Sequence, residues 1–322
     1  MIGTEFLKGQ GLGNQLFCYV STRCIALDKN LEFGVCGTDV FKGADFFINT
    51  VMDTFKKNSV TKNYNEKEDR VFIANSVHDL TYGCYISGAD KELYSVSDNT
   101  LIYGNLQSEF YFGNHKEEIK EWLSIKPEYD NFKDYSSDNI CVINVRGGEY
   151  RGDRALYLRK KYWHDAVRKM KTINPDMRFV VISDDEVAAK RIFPKFEVHH
   201  FDVGRDYAAI KNAHYAILSN SSFAFFPIFT SDTIKMAIAP KYWARHNVSN
   251  GYWASEQNIY SCFIYMDRKG KLFTAEECKR ELDDYKKNNY ITLCRKKSDI
   301  KNLKFEIFLI KIINLVKRIF KR

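Results

Sequence analysis

The stretch Cys141-Val142-Ile143-Asn144-Val145-Arg146-Gly147-Gly148-Glu149-Tyr150 decides how this chain folds. Its first half is an apolar run of the length of a strand buried on both faces, and its second half turns abruptly polar. Such a strand delivers Asn144, Arg146 and Glu149 to the C-terminal edge of a sheet, where open α/β sheets bind ligands. The pattern recurs downstream. Arg178-Phe179-Val180-Val181-Ile182 runs into Ser183-Asp184-Asp185, and Tyr215-Ala216-Ile217-Leu218 runs into Ser219-Asn220-Ser221-Ser222. Helical patterns occupy residues 158–174, 186–193 and 207–213, a further strand is expected near 197–201, and a last one at 235–239. Strands alternating with helices imply a doubly wound parallel sheet, so the three polar strand ends share one edge. A capping Asp or Ser explains Asp184 or Ser221 taken singly. It explains less well three such clusters together with an Arg loop.

A second ligand-facing loop lies near the start. An apolar strand over residues 2–7 runs into Gly9-Gln10-Gly11-Leu12-Gly13-Asn14-Gln15, followed by a helical pattern through Leu27. Gly11 and Gly13 would let the backbone approach a ligand, and Asn14 and Gln15 bring donors and acceptors to a helix N-terminus. A dinucleotide fingerprint needs glycine where Asn14 stands. Glu32 lies near the distance of a ribose-binding acid, so an oxidoreductase stays open as an alternative. A purely structural glycine turn is the other. Between residues 38 and 139 the pattern is weaker, with a polar loop or helix edge at 53–69 and a linker at 126–139.

Composition narrows the classes. The 322 residues suffice for two domains, and 45% hydrophobic content excludes a disordered chain. The net charge of +8 resides in residues 295–322, which hold ten Lys or Arg against Asp299 and Glu306, leaving 39 bases and 39 acids elsewhere. A neutral body gives no footprint for nucleic acid. The eight cysteines form no C-x-x-C pair and read as buried thiols in a reducing compartment, and no metal is expected. With neither an apolar leader nor a spanning run of about 18 residues, a cytoplasmic protein is expected.

Arg146 offers a planar donor fork suited to phosphate. Ser221 and Ser222 open a helix, Asp184 can accept from a ribose hydroxyl or a guanine N–H, and no Gly-Lys-Ser/Thr phosphate loop is present. These groups together describe a site for a nucleoside diphosphate, and a sugar nucleotide fits because the diphosphate is its leaving group.

Four motifs in order resemble the family 11 glycosyltransferases, the α-1,2-fucosyltransferases. Gly9 to Phe17 (GQGLGNQLF) resembles their opening motif, and Ser219 to Phe229 (SNSSFAFFPIF) their C-terminal signature. Asn144 to Tyr150 (NVRGGEY) stands in place of their His-x-Arg-Arg-Gly-Asp-Tyr, and Ile182 to Asp185 (ISDD) matches a shorter segment. The resemblance implies a two-domain GT-B-like fold, a GDP-fucose donor, a glycan hydroxyl as acceptor, inversion, and no metal or other cofactor. It implies an acceptor-side domain over residues 1–135, a donor domain over 136–245, a helical segment over 246–294 packing back on the body, and a basic tail over 295–322. Arg146, Glu149 and Asn14 would be catalytic. Asn144, Gly148, Asp184, Asp185, Ser219, Asn220, Ser221, Ser222 and Phe223 would bind the donor, and Gly11, Gly13 and Gln15 would form the acceptor-side loop. The departures are Asn144 for His, Gly147 for the second Arg and Glu149 for Asp, with Arg151 or Arg154 as substitute cations. They keep two alternatives open, another nucleotide sugar or an inactive nucleotide-sugar or glycan binder.

Residues 301–322 are amphipathic at helical spacing. Phe305, Phe308, Leu309, Ile312, Ile313, Val316, Ile319 and Phe320 cover one side, and Lys304, Lys311, Lys317, Arg318 and Lys321 the other, with Leu303, Ile307 and Ile310 intruding. That composition suits a helix lying on an anionic membrane surface, which would place the enzyme on the inner face of the membrane beside a lipid-linked glycan acceptor; a terminal helix packed on the body and a dimer contact are the alternatives.

Overall fold

The computed structural model describes residues 1–50, 55, 62–67, 70–71, 85–86, 89–152, 156–241 and 258–289, together with seven positions of the tail. Two parallel sheets organise it. The first contains β1 (Ile2–Glu5), β2 (Phe33–Cys36), β3 (Lys62–Asn65) and a strand at Thr100–Tyr103, in the order β2-β1-β6-β3 once a two-residue antiparallel pair, β4 (Arg70–Val71) and β5 (Tyr85–Ile86), is counted and Thr100–Tyr103 becomes β6. β3 falls where the sequence suggested a polar loop or helix edge. Its polar residues suit the sheet edge, where one side of the ladder stays open to solvent.

The second sheet contains β7 (Ile140–Val145), β8 (Arg178–Ser183), β9 (Glu197–His199), β10 (Tyr215–Leu218), β11 (Met236–Pro240), β12 (Ile264–Met266) and β13 (Leu272–Phe273). Its order is β13-β12-β11-β10-β7-β8-β9, parallel throughout except for β13. Chain order reverses between β7 and β10, which is the switch point of a doubly wound sheet. β12 and β13 fall within the 246–294 region expected to be helical. They are too short to show a period in sequence and owe their pairing to the edge that β11 offers.

All six residues of β7 are buried, five of them apolar and the sixth Asn144 near the cavity end. Alternate side chains enter different cores. Cys141, Ile143 and Val145 pack outward with Tyr162, Trp163 and Met170 of helix Lys160–Ile173 and with Ile192 of helix Glu186–Ile192. Ile140 and Val142 point inward, toward helices Val203–Lys211 and Phe225–Phe229. In chain order α1 is Leu12–Asp28, α2 Lys116–Trp122, and these four are α3 to α6; α7 is Ala275–Asn289.

The inner core does not stop at the domain boundary. α1 is buried on nearly every side, and its Phe17 ring lies 5.0 Å from that of Phe225, 4.9 Å from Phe226 and 5.9 Å from both Phe112 and Tyr260. At Gly13 an added Cβ would sit 2.4 Å from the Ser222 carbonyl carbon and 2.5 Å from the Phe223 nitrogen. The two units therefore share one aromatic core and one backbone-to-backbone contact. The cysteines described, namely Cys18, Cys24, Cys36, Cys141, Cys262 and Cys278, are all free. Burial pushes the Cys18 thiol up to about 12, which makes it an inert packing group. Among the described residues no helix is long and apolar enough to cross a membrane.

Candidate active site

The three polar strand ends do meet. β7 lies between β8 and β10, so the residues after each come together at one edge. They face the loop at the N-terminus of α1 across a cavity of about 500 Å3. That size suits a small-molecule ligand rather than a single ion.

Arg146 leaves the end of β7 into this cavity with its side chain 29% exposed. Its guanidinium meets Asp184 Oδ2 at 2.8 Å and Glu149 Oε1 at 2.9 Å, and stands 5.7 Å over the Tyr150 ring. Asp184 also accepts from Gly147 N–H at 2.7 Å. Its carboxylate therefore fixes the Arg146 turn while it lines the cavity. Glu149 is 74% exposed and engaged only at its tip, so it can leave Arg146 at little cost.

Gly147 stands where the family 11 motif carries its second Arg. A Cβ there would lie 2.4 Å from Asp185 Cβ, so the turn is packed in a way that admits no side chain. Gly148 adopts φ +34 with its α-carbon turned to Asp184, and it is not on the cavity wall.

Asp185 also lies off the cavity. It caps α4 through Ala188 N–H at 2.9 Å and pairs with Arg151 at 2.9 Å. Arg151 is thereby committed elsewhere, and Arg154 lies outside the described residues. Asn144 is buried at the cavity wall, where its Oδ1 accepts from Ser219 Oγ at 3.3 Å. Ser219 and Asn220 are buried behind the wall, Asn220 donating to the Leu156 carbonyl at 3.1 Å. Ser221, Ser222 and Phe223 line the cavity, although Ser221 Oγ already accepts the Phe223 N–H at 3.3 Å.

On the opposite wall, Asn14 Oδ1 accepts from Ser222 Oγ at 2.7 Å and from Gln107 Nε2 at 3.1 Å, bridging the two units on the cavity wall. Gly11 lines the cavity with open space around it, whereas Gly13 is spent on the contact with Ser222. Gln15 is completely buried and does not reach the cavity. It donates to the Val40 carbonyl at 2.8 Å and accepts from Lys42 N–H at 3.0 Å, which fixes the loop that brings Lys42 to the cavity. The opening loop therefore has two roles: Gly9 to Asn14 line the cavity, and Gly13 and Asn14 tie the two units together through Ser222.

Seven lining residues carried no signal in the sequence: Lys42, Asn105, Gln107, His200, Val203, Asp206 and Asn258. Asn105 and Gln107 flank Leu106, a buried residue held at φ +49. The half-buried Glu66 carboxylate accepts from Asn105 and Leu106 N–H at 2.9 Å each and from Tyr111 Oη at 3.0 Å, which holds that strained turn. Burial raises the Glu66 pKa against these three donors. Asp206, in the first turn of α5, is buried, accepts from Phe201 N–H at 3.0 Å and lies 2.7 Å from His200 Nδ1. Burial raises its pKa too, against the pull of Phe201 and His200. Both sit past the end of β9, on the edge where the doubly wound rule places ligands, so the rule applied to one more strand points to them. Among the described residues no group of three or more His, Cys, Asp or Glu side chains is placed to hold a metal ion.

The fold is the GT-B-like pair of parallel α/β units expected from the sequence, and its cavity lies between them. No protein-family model matches the chain, and no curated protein sequence matches it. Solved structures similar to it include POFUT1 in complex with GDP-fucose, at 10% identity and TM-score 0.45, covering 74% of this chain and 96% of that one. The NodZ α-1,6-fucosyltransferase soaked with GDP-fucose stands at 11% and 0.42, covering 74% and 94%. A family 9 glycosyl transferase from Veillonella parvula stands at 10% and 0.44, covering 88% and 96%. At these values the likeness is one of overall architecture alone.

Proposed function

We propose that the protein is an inverting glycosyltransferase that moves fucose from GDP-fucose to a hydroxyl of a surface-glycan or lipopolysaccharide acceptor, with the α-1,2 linkage that the family 11 motifs imply. The observation that carries this reading is Arg146, held at the switch-point edge by Asp184 and facing the α1 N-terminus across a cavity of about 500 Å3. The donor diphosphate takes the place of Glu149 on the guanidinium, and Arg146 stabilises charge as it develops on the leaving group. Lys42 supplies from the other wall the second cation that Gly147 does not. Two cavity carboxylates can accept from guanine N–H groups: Asp184, which already holds Gly147 and Arg146, and Asp206, which already holds Phe201 and His200. Asn14, Asn105 and Gln107 offer amides to the acceptor sugar, with Gly11 leaving room beside them. An oxocarbenium-like transition state needs little help from a base, so in this reading the acceptor hydroxyl loses its proton to solvent as its bond to the sugar forms and the bond to the diphosphate breaks, and Glu149 gates Arg146.

An inactive nucleotide-sugar binder is the second reading, favoured by the absence of room for a second Arg at Gly147. Thermal-shift screening of GDP, UDP, CMP, dTDP and NAD against the wild type and Arg146→Ala tests the first. Selective stabilisation by GDP, lost in the variant, supports it. A stronger response to UDP or dTDP changes the donor, and no response to any nucleotide overturns the reading. Hydrolysis or transfer of GDP-fucose then separates the enzyme from the binder.

A further inference from the structure

The described positions of the tail are Phe305, Phe308, Leu309, Ile312, Ile313, Val316 and Ile319, all helical and all exposed, at 42–63%. At 3.6 residues per turn they fall within an arc of about 140° along some 20 Å of helix. An apolar stripe of that width is a face, broader than the two-position seam of a paired coiled coil.

The charge around it identifies what covers it. Residues 295–322 carry ten bases and two acids, and at helical spacing Lys304, Lys311, Lys317, Arg318 and Lys321 lie opposite the apolar stripe. A second copy seated on the stripe would cover the apolar face and leave the bases on the far side without an anionic partner. An anionic lipid surface accepts both halves, the apolar face entering the acyl boundary and the lysines meeting headgroup phosphates.

We infer that the C-terminal helix docks the protein on an anionic membrane surface, lying in the interface rather than spanning it. The inference does not depend on the donor assignment, since it uses no residue of the cavity. It places the site at a lipid surface, where an acceptor built on a lipid carrier would be presented.

The test uses the full chain and flotation with vesicles of mixed phosphatidylglycerol and phosphatidylcholine, or of phosphatidylcholine alone. Binding to the mixed vesicles and weakening by salt are expected. Each of Lys311→Gln and Lys317→Gln should cost about fivefold in affinity. The double change Phe308→Glu with Ile312→Glu should cost tenfold or more at an unchanged melting temperature, which shows the body still folded. Equal binding to phosphatidylcholine alone would overturn the inference, as would unchanged binding by the double variant. A tail-dependent dimer that ignores vesicles would overturn it in favour of a second copy. Nucleotide stabilisation, measured in parallel, reports on the cavity and is indifferent to all of these results.

Discussion

The two walls of the cavity are built on different principles. The wall from the second sheet is charged and self-contained: Arg146 meets Asp184 and Glu149 at 2.8 to 2.9 Å just past the buried ends of β7 and β8. The wall from the first sheet presents mainly amides, Asn14, Asn105 and Gln107, with Lys42 as its cation, and holds them on turns braced from behind by Glu66 and Gln15. The first arrangement suits a fixed, highly charged leaving group. The second suits a neutral polyol, for which hydrogen-bonding amides give orientation without electrostatic bias. Where the walls touch, Phe17 packs on Phe225, Gly13 meets the Ser222–Phe223 backbone and Asn14 accepts from Ser222, so the relative placement of charge and amides is set by direct contact.

The sharpest way to break this arrangement is at the seam. Gly13→Ala forces a methyl group against the Ser222–Phe223 backbone and should cost about 3 kcal/mol of stability. Chemical denaturation measures it, and a loss below about 0.5 kcal/mol would mean the walls are not locked together. A smaller effect isolates the first wall. Lys42→Ala should weaken GDP binding about tenfold by calorimetry while leaving the melting temperature of the free protein unchanged. An unchanged affinity would assign the diphosphate to the second wall alone.

Glu149→Gln sharpens the account of the second wall. If Glu149 occupies the fork that the diphosphate needs, the variant should bind GDP about threefold more tightly, whereas a catalytic base would leave affinity unchanged and abolish turnover. The pH dependence gives the smallest effect. Because burial raises the pKa of Asp206, the folded state holds that proton more tightly than the unfolded chain. The stability this contributes is full below the ordinary aspartate pKa and is lost as pH rises through the raised value. Nucleotide binding runs the other way, because the carboxylate is the form that accepts N–H donors. GDP affinity should therefore fall as pH drops through the raised pKa, and Asp206→Asn should flatten that dependence in an isothermal titration series.

The sequence identified the second wall better than the first for a physical reason. Buried parallel strands are continuous apolar runs, and their polar ends stand out against them, so Arg146, Asp184 and Ser221 could be placed at one edge. Lys42, Asn105 and Gln107 sit on turns whose shape comes from distant partners, Val40 and Lys42 held by Gln15 across α1, and Leu106 held by Glu66. No local pattern records such partners. The same limit explains Asp185, Ser219 and Asn220. They neighbour cavity residues in sequence, yet a cap and two buried hydrogen bonds turn them away from it.

By itself, then, the sequence determined the doubly wound sheet, the edge where its strand ends gather, and the amphipathic tail, because periodicity and apolar run length are local properties of a chain. The tertiary structure decided which carboxylates hold Arg146, which glycine serves packing, and which lysine reaches the cavity. Those assignments depend on distances between residues as many as about two hundred positions apart, as between Asn14 and Ser222, and only the folded chain fixes them.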